Sequence, residues 1–322
     1  MSGPLAVVGV IESIHAIDGA DRIQLAKVNC GTAGKWSGVV SKDIQPADRV
    51  TVFLQDALLP PNERWAFMEK QNWRVRMCRF KGVPSECLIV PGAPDFIEGT
   101  DLTEALGVTK YEKPIPAGSA GDIAGNFPSW IPRTDEDNFQ RVPELVERMR
   151  HDHWYVTEKA DGTSCTAWVD DDGLHVCSRN FELKEFSESG ATNLYWRVAR
   201  QYKLENLPQG YAIQFEIVGP GVQGNPMGLE TTEMRLFNVW ERVLYKSKMP
   251  LSGMQAFAKA HGLQLAREIP VLNDSASKVW TADDLQALAQ IKYPNGKHGE
   301  GIVIRDIMNK WSFKVINLLY RD

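Results

Sequence analysis

The chain has 322 residues, 43% of them hydrophobic and 24% charged, which leaves room for about two domains with ordinary cores. A formal net charge of −5 excludes a protein coated in positive charge, although a local basic stripe would still serve a nucleic acid. No apolar run approaches the roughly 20 residues that span a bilayer, and the opening MSGPLAVVGVIESIHAIDGAD has no basic leader, so neither a membrane span nor a signal peptide is expected.

Residues 1–110 read as all-β. VVGVIESI, RIQLAKVNC, RVTVFLQDALL, WRVRMCRF and ECLIVP are short runs rich in apolar and β-branched residues. Turn signals separate them at Asp18-Gly19, from Gly31 to Gly38, at Pro46, Pro60-Pro61 and Gly82. Strands at this spacing suit a small barrel of OB type, and a small sandwich or an SH3-like barrel satisfies the same pattern. The stretch from Lys70 to Lys81 carries five positive charges and no acid. Arg74, Arg76, Arg79 and Lys81, beside Trp73 and Phe80, form a candidate RNA-binding surface, with Arg74 and Arg76 on one face of a strand. A solvated strand whose charges discourage edge pairing is the plainer alternative.

Residues 111–132 hold Pro114, Pro116, Gly118, Gly121, Gly125, Pro128 and Pro132, a density that predicts a linker. Thr134 with Asp137 three residues on is a weak capping box for a helix over 136–150. The remainder, 133–322, mixes both element types. Strands are predicted at 154–158, 163–170, 173–178, 211–218, 234–241, 301–305 and 311–316, and further helices at 193–203, 252–261 and 282–291. Adjacent strands joined by turns such as Asp170-Asp171-Asp172-Gly173 predict antiparallel pairing and an α+β domain. Cys30, Cys78, Cys87, Cys165 and Cys177 form no CxxC pair, which argues against a disulfide framework or a zinc site and for a reducing cytoplasm.

Thr157-Glu158-Lys159-Ala160-Asp161-Gly162-Thr163-Ser164 places a lysine between a strand and a sharp turn. Alone it is weak evidence for chemistry. Four further segments add weight: Ser178-Arg179-Asn180, Gln214-Phe215-Glu216-Ile217, Glu300-Gly301-Ile302-Val303-Ile304-Arg305, and Ser312-Phe313-Lys314-Val315-Ile316-Asn317. Charged groups inside apolar strands need partners, and an anionic nucleotide with a metal would satisfy lysine and glutamate together.

In this order the five segments resemble motifs I, Ia, III, IV and V of the covalent nucleotidyltransferase superfamily, which includes ATP-dependent RNA and DNA ligases and mRNA capping enzymes. The resemblance implies that Lys159 attacks the α-phosphate of ATP and carries AMP. It places Glu158, Asp161 and Gly162 at the nucleotide, and Arg179 and Asn180 at ribose, phosphate or metal. Glu216 and Glu300, with Asn180, would hold Mg2+ or Mn2+. Phe237, within Leu236-Phe237-Asn238-Val239-Trp240, would stack on adenine, and the apolar strand Ile302-Val303-Ile304, with Ile302 foremost, would wall the base. Lys314 would bind the α-phosphate. Motif V often carries a second lysine, for which Lys310 or Arg305 is the substitute here.

DNA ligases and capping enzymes carry an OB domain after motif V, whereas here Lys314 is eight residues from the end and the β-rich module comes first. That order resembles RNA ligases with an N-terminal OB module, as does FPSWIPRTDE upstream of motif I. Ala20 to Val28 is similar to the opening of tRNA-binding OB domains. The implied fold is an OB-type barrel over 1–110, a linker over 111–132 and an antiparallel, ATP-grasp-like nucleotidyltransferase domain over 133–322. The implied substrate is RNA with 5′-phosphate and 3′-hydroxyl ends, foremost a nicked duplex, sealed by a cytoplasmic monomer. A ligase of DNA/RNA-hybrid nicks and a non-catalytic tRNA- or RNA-binding protein are the alternatives. The joint presence of the lysines and both glutamates weighs against the second.

Overall fold

A computed structural model describes residues 3–111, 122–187, 189–242, 247–271 and 278–320. Contacts divide the chain into two compact units, Met1–Pro114 with Gln140–Pro143, and Ile115–Phe139 with Glu144–Asp322.

The first unit is built on a five-stranded antiparallel sheet in the order Lys35–Ser41, Ile23–Asn29, Ala6–Ala16, Arg49–Phe53, Leu88–Pro91. Side chains alternate across a strand, so successive residues feed opposite faces. Val7, Ile11, Val50 and Val52 pack with Val28 and Trp36 on one face. Ala6, Val8 and Phe53 pack on the other against Trp65 and Met68 of the 3-10 helix Glu63–Gln71. The segment just before Leu88–Pro91 reaches the opposite edge of the sheet. There the Glu86 amide donates to the Ser37 carbonyl at 2.8 Å, and the Val39 amide donates to Ser85 Oγ at 2.9 Å.

Two expectations for this unit are corrected. Gly31 to Gly38 is not a long turn, because only Gly31–Ala33 turns and Lys35–Ser41 is a strand. Gly38 serves packing there, since a Cβ would lie 2.7 Å from the Ile89 side chain. The strand expected over 73–80 shrinks to Cys78–Phe80, paired in a hairpin with Val83–Ser85. Asn72 and Trp73 take positive φ of 51° and 54°, which breaks an extended chain. Arg74 and Arg76 therefore do not share a strand face.

The second unit holds a seven-stranded and a three-stranded antiparallel sheet. The larger runs Ile123–Asn126, Phe181–Leu183, Gly173–Cys177, Thr163–Asp170, Tyr211–Val218, Glu233–Glu241, Ser247–Lys248. The smaller runs Trp154–Glu158, Gly301–Asp306, Ser312–Ile316. One face of the larger sheet buries Cys165, Ile213, Phe215, Ile217 and Leu236 in a core with Trp196 and Phe257, which come from the helices Leu194–Gln201 and Leu251–His261. The other face carries Ser164, Gln214 and Glu216, positions of opposite parity.

The segment expected as a linker, 111–132, is described only at Tyr111 and from Asp122 on. Residues 112–121, with Pro114, Pro116, Gly118 and Gly121, lie outside the described residues. Ile123–Asn126 is instead an edge strand of the larger sheet, and Trp130 and Ile131 pack with Trp168. The helix expected over 136–150 is reduced to the 3-10 turn Phe139–Arg141 and the helix Pro143–Arg148. Proline fits the first turn of a helix but not its interior, so Pro143 sets the start. Thr134 is no cap, because its hydroxyl bonds Ser164 Oγ at 2.6 Å. No helix among the described residues is long and apolar enough to cross a membrane.

Candidate active site

Lys159 leaves the end of the strand Trp154–Glu158, and its amide is still bonded to the Gly301 carbonyl at 2.8 Å. That bond holds the lysine beside the head of the next strand, where Glu300 waits. The Lys159 Nζ to Glu300 Oε1 distance is 2.6 Å, with side-chain exposures of 25% and 20%. Burial alone would lower the lysine pKa. The carboxylates of Glu300, Glu216 and Asp161 outweigh it and hold the pKa above the usual lysine value. Glu216 faces the same cluster. Burial, together with the charges of Glu300 and Asp161, pushes its carboxyl up to about 8 against the pull of Lys159 and Arg179.

Two glycines allow this approach. A Cβ on Gly162 would lie 2.1 Å from the Ile217 carbonyl oxygen and 2.9 Å from Glu216 Cγ, so the turn after Lys159 can close on the Glu216 strand only without a side chain. Gly301 has φ of 142°, and a Cβ there would meet the Val315 carbonyl oxygen at 2.1 Å.

Cross-strand register fixes what else faces Lys159. Thr157 pairs with Val303, which pairs with Lys314, so these three side chains share a face of the small sheet. Tyr155 and Arg305 lie one step further on the same face. The Arg305 guanidinium is buried, donates to Thr157 Oγ1 at 2.6 Å and lies 5.8 Å from the centre of the Phe237 ring on the larger sheet. Tyr155, Thr157, Phe237, Leu265 and Arg305 line a shallow, open pocket. Arg179 is paired with Asp135 at 2.5 Å, and the Asn180 carbonyl accepts from the Phe127 amide at 3.2 Å.

The structure thus gathers Lys159, Asp161, Gly162, Glu216 and Glu300 around one point. It sets Arg179 within electrostatic reach of Glu216 and Lys314 on the sheet face that carries Thr157 and Val303, while Phe237 lines the pocket with Thr157 and Arg305. Other expectations are corrected. Ile302 is fully buried on the opposite face, across from Glu158, so Val303 and not Ile302 faces the lysine side. The Glu158 side chain points the same way as Ile302, away from Lys159. Burial raises its pKa, and Arg267 Nη2, 2.5 Å away, partly offsets that. Lys310 sits beyond the far end of the hairpin, roughly 16 Å along the strands from the Gly301 end at about 3.3 Å per residue. Arg74 pairs with Asp56 at 2.7 Å and stacks 3.8 Å over Tyr111, so it is committed to its own unit.

Among the described residues no set of three or more His, Cys, Asp or Glu converges as a self-contained metal site. The donors present suit a different arrangement. Magnesium-like ions typically take one or two carboxylates and complete their shell with substrate phosphates and water. An excess of buried carboxylate, one of them forced up to about 8, is the donor chemistry such a cation would relieve.

A family model described as RNA ligase matches residues 152–316. The chain belongs to the RNA ligase family. The match begins two residues before the strand Trp154–Glu158 and ends with the Lys314 strand, so it contains every residue of the Lys159 cluster. Among solved structures, an RNA ligase of Naegleria gruberi with PPi superposes with a TM-score of 0.80 at 28% identity, over 98% of this chain and 97% of that one. A mutant of that ligase with AMP and Mn gives a TM-score of 0.78 at 29% identity, with the same coverages. A second mutant, with ATP and Mn, gives 0.78 at 28% identity, again over 98% and 97%. A comparison with curated proteins returned no match.

Proposed function

We propose that this RNA-ligase-family protein seals RNA 3′-hydroxyl and 5′-phosphate ends with ATP, through a lysyl–AMP and an adenylylated RNA. The observation that carries the reading is Lys159 held at the end of its strand against Glu300, with Glu216 and Asp161 bearing on the same amine. In the first step Lys159 Nζ attacks the α-phosphorus, a P–N bond forms and pyrophosphate leaves. In the second, a 5′-phosphate oxygen of RNA takes the AMP and frees the lysine. In the third, a 3′-hydroxyl attacks that activated phosphate and AMP departs.

The residues present fit these steps. An ammonium is no nucleophile, so Lys159 must lose the proton that Glu300 now stabilises. Glu216 and Glu300 would hold Mg2+ or Mn2+, the metal of the related structures, with Asn180 flanking. When bound, such an ion supplies positive charge against the carboxylates and the transferring phosphate. Lys314 would meet the α-phosphate, with Arg179 nearby, and Asp161 and Gly162 shape the turn that brings Lys159 to it. Phe237 offers a face for adenine in the pocket it shares with Thr157 and Arg305. In the N-terminal unit, bonds from segment 85–86 to Lys35–Ser41 support an OB-type barrel. Its exposed Arg76, Lys81 and Phe80, with Arg79, are the surface offered to RNA, foremost a nicked duplex.

The test is to incubate the protein with α-labelled ATP and MnCl2, denature it and count label on the polypeptide, then to seal a nicked RNA. Metal-dependent label that disappears in Lys159→Ala, together with a sealed strand, is expected. Label persisting in Lys159→Ala, or none in the wild type shown to be free of bound AMP, would sink the reading.

A further inference from the structure

Tyr293 lies outside every segment that the motifs single out, yet its hydroxyl stands directly beneath the Lys159 cluster. It donates to the Lys159 carbonyl at 3.1 Å and accepts from the amides of Asp161 at 3.2 Å and Glu300 at 3.1 Å. A hydroxyl has one proton and two lone pairs, and here all three are used on backbone groups. The side chain is buried and packs with Val218 and Met227. Its own position is set by a tight hairpin, in which its amide donates to the Lys297 carbonyl and the Gly299 amide donates to the Ile291 carbonyl, both at 2.9 Å. Tyr320 meets its ring edge-on at 6.4 Å, and the Tyr320 hydroxyl donates to the Asp161 carboxylate.

We infer that Tyr293 is a positioning residue for transfer of the nucleotide: its hydroxyl ties the Lys159–Asp161 turn to the head of the Glu300 strand. Nucleophile and carboxylates then move as one body. The inference rests on the proposed role of Lys159. Its physical basis is that Lys159 and Glu300, about 140 residues apart in the chain, lie just past the end of the ladder that pairs Trp154–Glu158 with Gly301–Asp306, where only a few bonds hold them. One of these is the Lys159 amide to the Gly301 carbonyl at 2.8 Å. Another is the ion pair itself, which must loosen when the amine gives up its proton. The Tyr293 bridge is made to backbone and does not depend on the charge of either side chain. It keeps the geometry through that moment. A displacement of about 1 Å of a reacting group can cost roughly a hundredfold in rate.

Tyr293→Phe keeps the ring and removes only the hydroxyl. Single-turnover labelling with α-labelled ATP and MnCl2 gives three readouts: the rate constant at saturating ATP, the half-saturating ATP concentration and the final labelled fraction. The rate constant is expected to fall by roughly 10- to 100-fold, with half-saturation within about threefold and the final fraction equal to wild type. A rate within about twofold of wild type overturns the inference. So does a deficit that more ATP restores, or a reduced final fraction at normal rate, which marks a purely structural role. Should Tyr293→Phe fail to fold, Tyr320→Phe tests the same frame through Asp161. It is expected to slow transfer about 3- to 10-fold at unchanged half-saturation, and an unchanged rate overturns the inference. Wild-type protein that takes no label overturns the underlying reading of Lys159, whereas label in the wild type with a normal rate in the variant overturns the inference alone.

Discussion

Glu216 is flanked in its strand by Phe215 and Ile217, both fully buried in the core, while its own carboxyl turns to the opposite face and meets Lys159. Burial and two neighbouring acids push that carboxyl up to about 8 from the ordinary 4.5. The folded protein therefore keeps a proton that the unfolded chain gives up near pH 4.5, and this group makes stability fall as pH rises from there to about 8. Glu216→Gln removes the penalty. Without divalent ions its melting temperature should exceed wild type by about 2–4 °C at pH 8.5, with the gap closing toward pH 5. Labelling by ATP should fall at least roughly a hundredfold. A variant no more stable than wild type at pH 8.5 would show that the carboxyl is not destabilised in the folded state. Glu216 was legible in the sequence because an acid inside an apolar strand stands out, whereas Lys159 and Glu300, just outside strand ends, were picked out by the order of the five segments and the resemblance it carries. Tyr293 was not, because its value comes from three bonds to distant backbone and an aromatic hydroxyl carries no local pattern. Ile302 failed by parity: a step of one residue along a strand changes faces, and only pairing with Trp154–Glu158 fixes which residues look toward Lys159.

Among the elements, the strands of the second unit were read nearly to the residue because alternation and short turns bounded them. The elements missed were those whose signal is tertiary. Ile123–Asn126 hides among glycines and prolines and exists as a strand because Phe181–Leu183 offers it an edge. The hairpin Thr163–Asp170 and Gly173–Cys177, with Phe181–Leu183 beside it, carries a pH-sensitive link. His175 lies between Asp170 Oδ1 at 2.8 Å and Glu182 Oε1 at 2.6 Å, stacked on Trp168 with centroids 4.7 Å apart. Burial disfavours the imidazolium, but bonds to Glu182 and Asp170 prevail and raise its pKa above 6.5. Its folded-state pKa being raised, the stability it lends is fully present below pH 6.5 and is lost as pH rises through the raised value. In thermal melts from pH 5.5 to 9, His175→Gln should lie below wild type at the acid end and converge on it toward the alkaline end. A gap that stays constant across the range would mean that the histidine is held by stacking alone.

For the molecule as a whole, the net charge of −5 means that any attraction to RNA has to come from local fields. The basic run from Lys70 to Lys81 is the densest of these, and the structure sorts its members into different jobs. Arg74 is held by Asp56 and Tyr111, so Arg74→Ala should lower the melting temperature and alter RNA binding little. Arg76 and Lys81 are exposed, and Lys81 with Gly82 forms a two-residue turn with φ of 50° and 81° that lifts its neighbours into solvent. Phe80, 42% exposed beside them, offers a stacking face. Each phosphate contact contributes close to one unit to the slope of log affinity against log salt. The double variant Arg76→Ala/Lys81→Ala should therefore weaken binding of nicked RNA and flatten that slope by about 1–2 units, while label transfer from ATP to Lys159 stays at the wild-type rate. Fluorescence anisotropy across a salt series, run beside the labelling assay, reads both quantities. An unchanged slope would move RNA recognition off this surface. A loss of label transfer would mean instead that these two cations support the nucleotide step, and the two units would then have to be treated as one catalytic body.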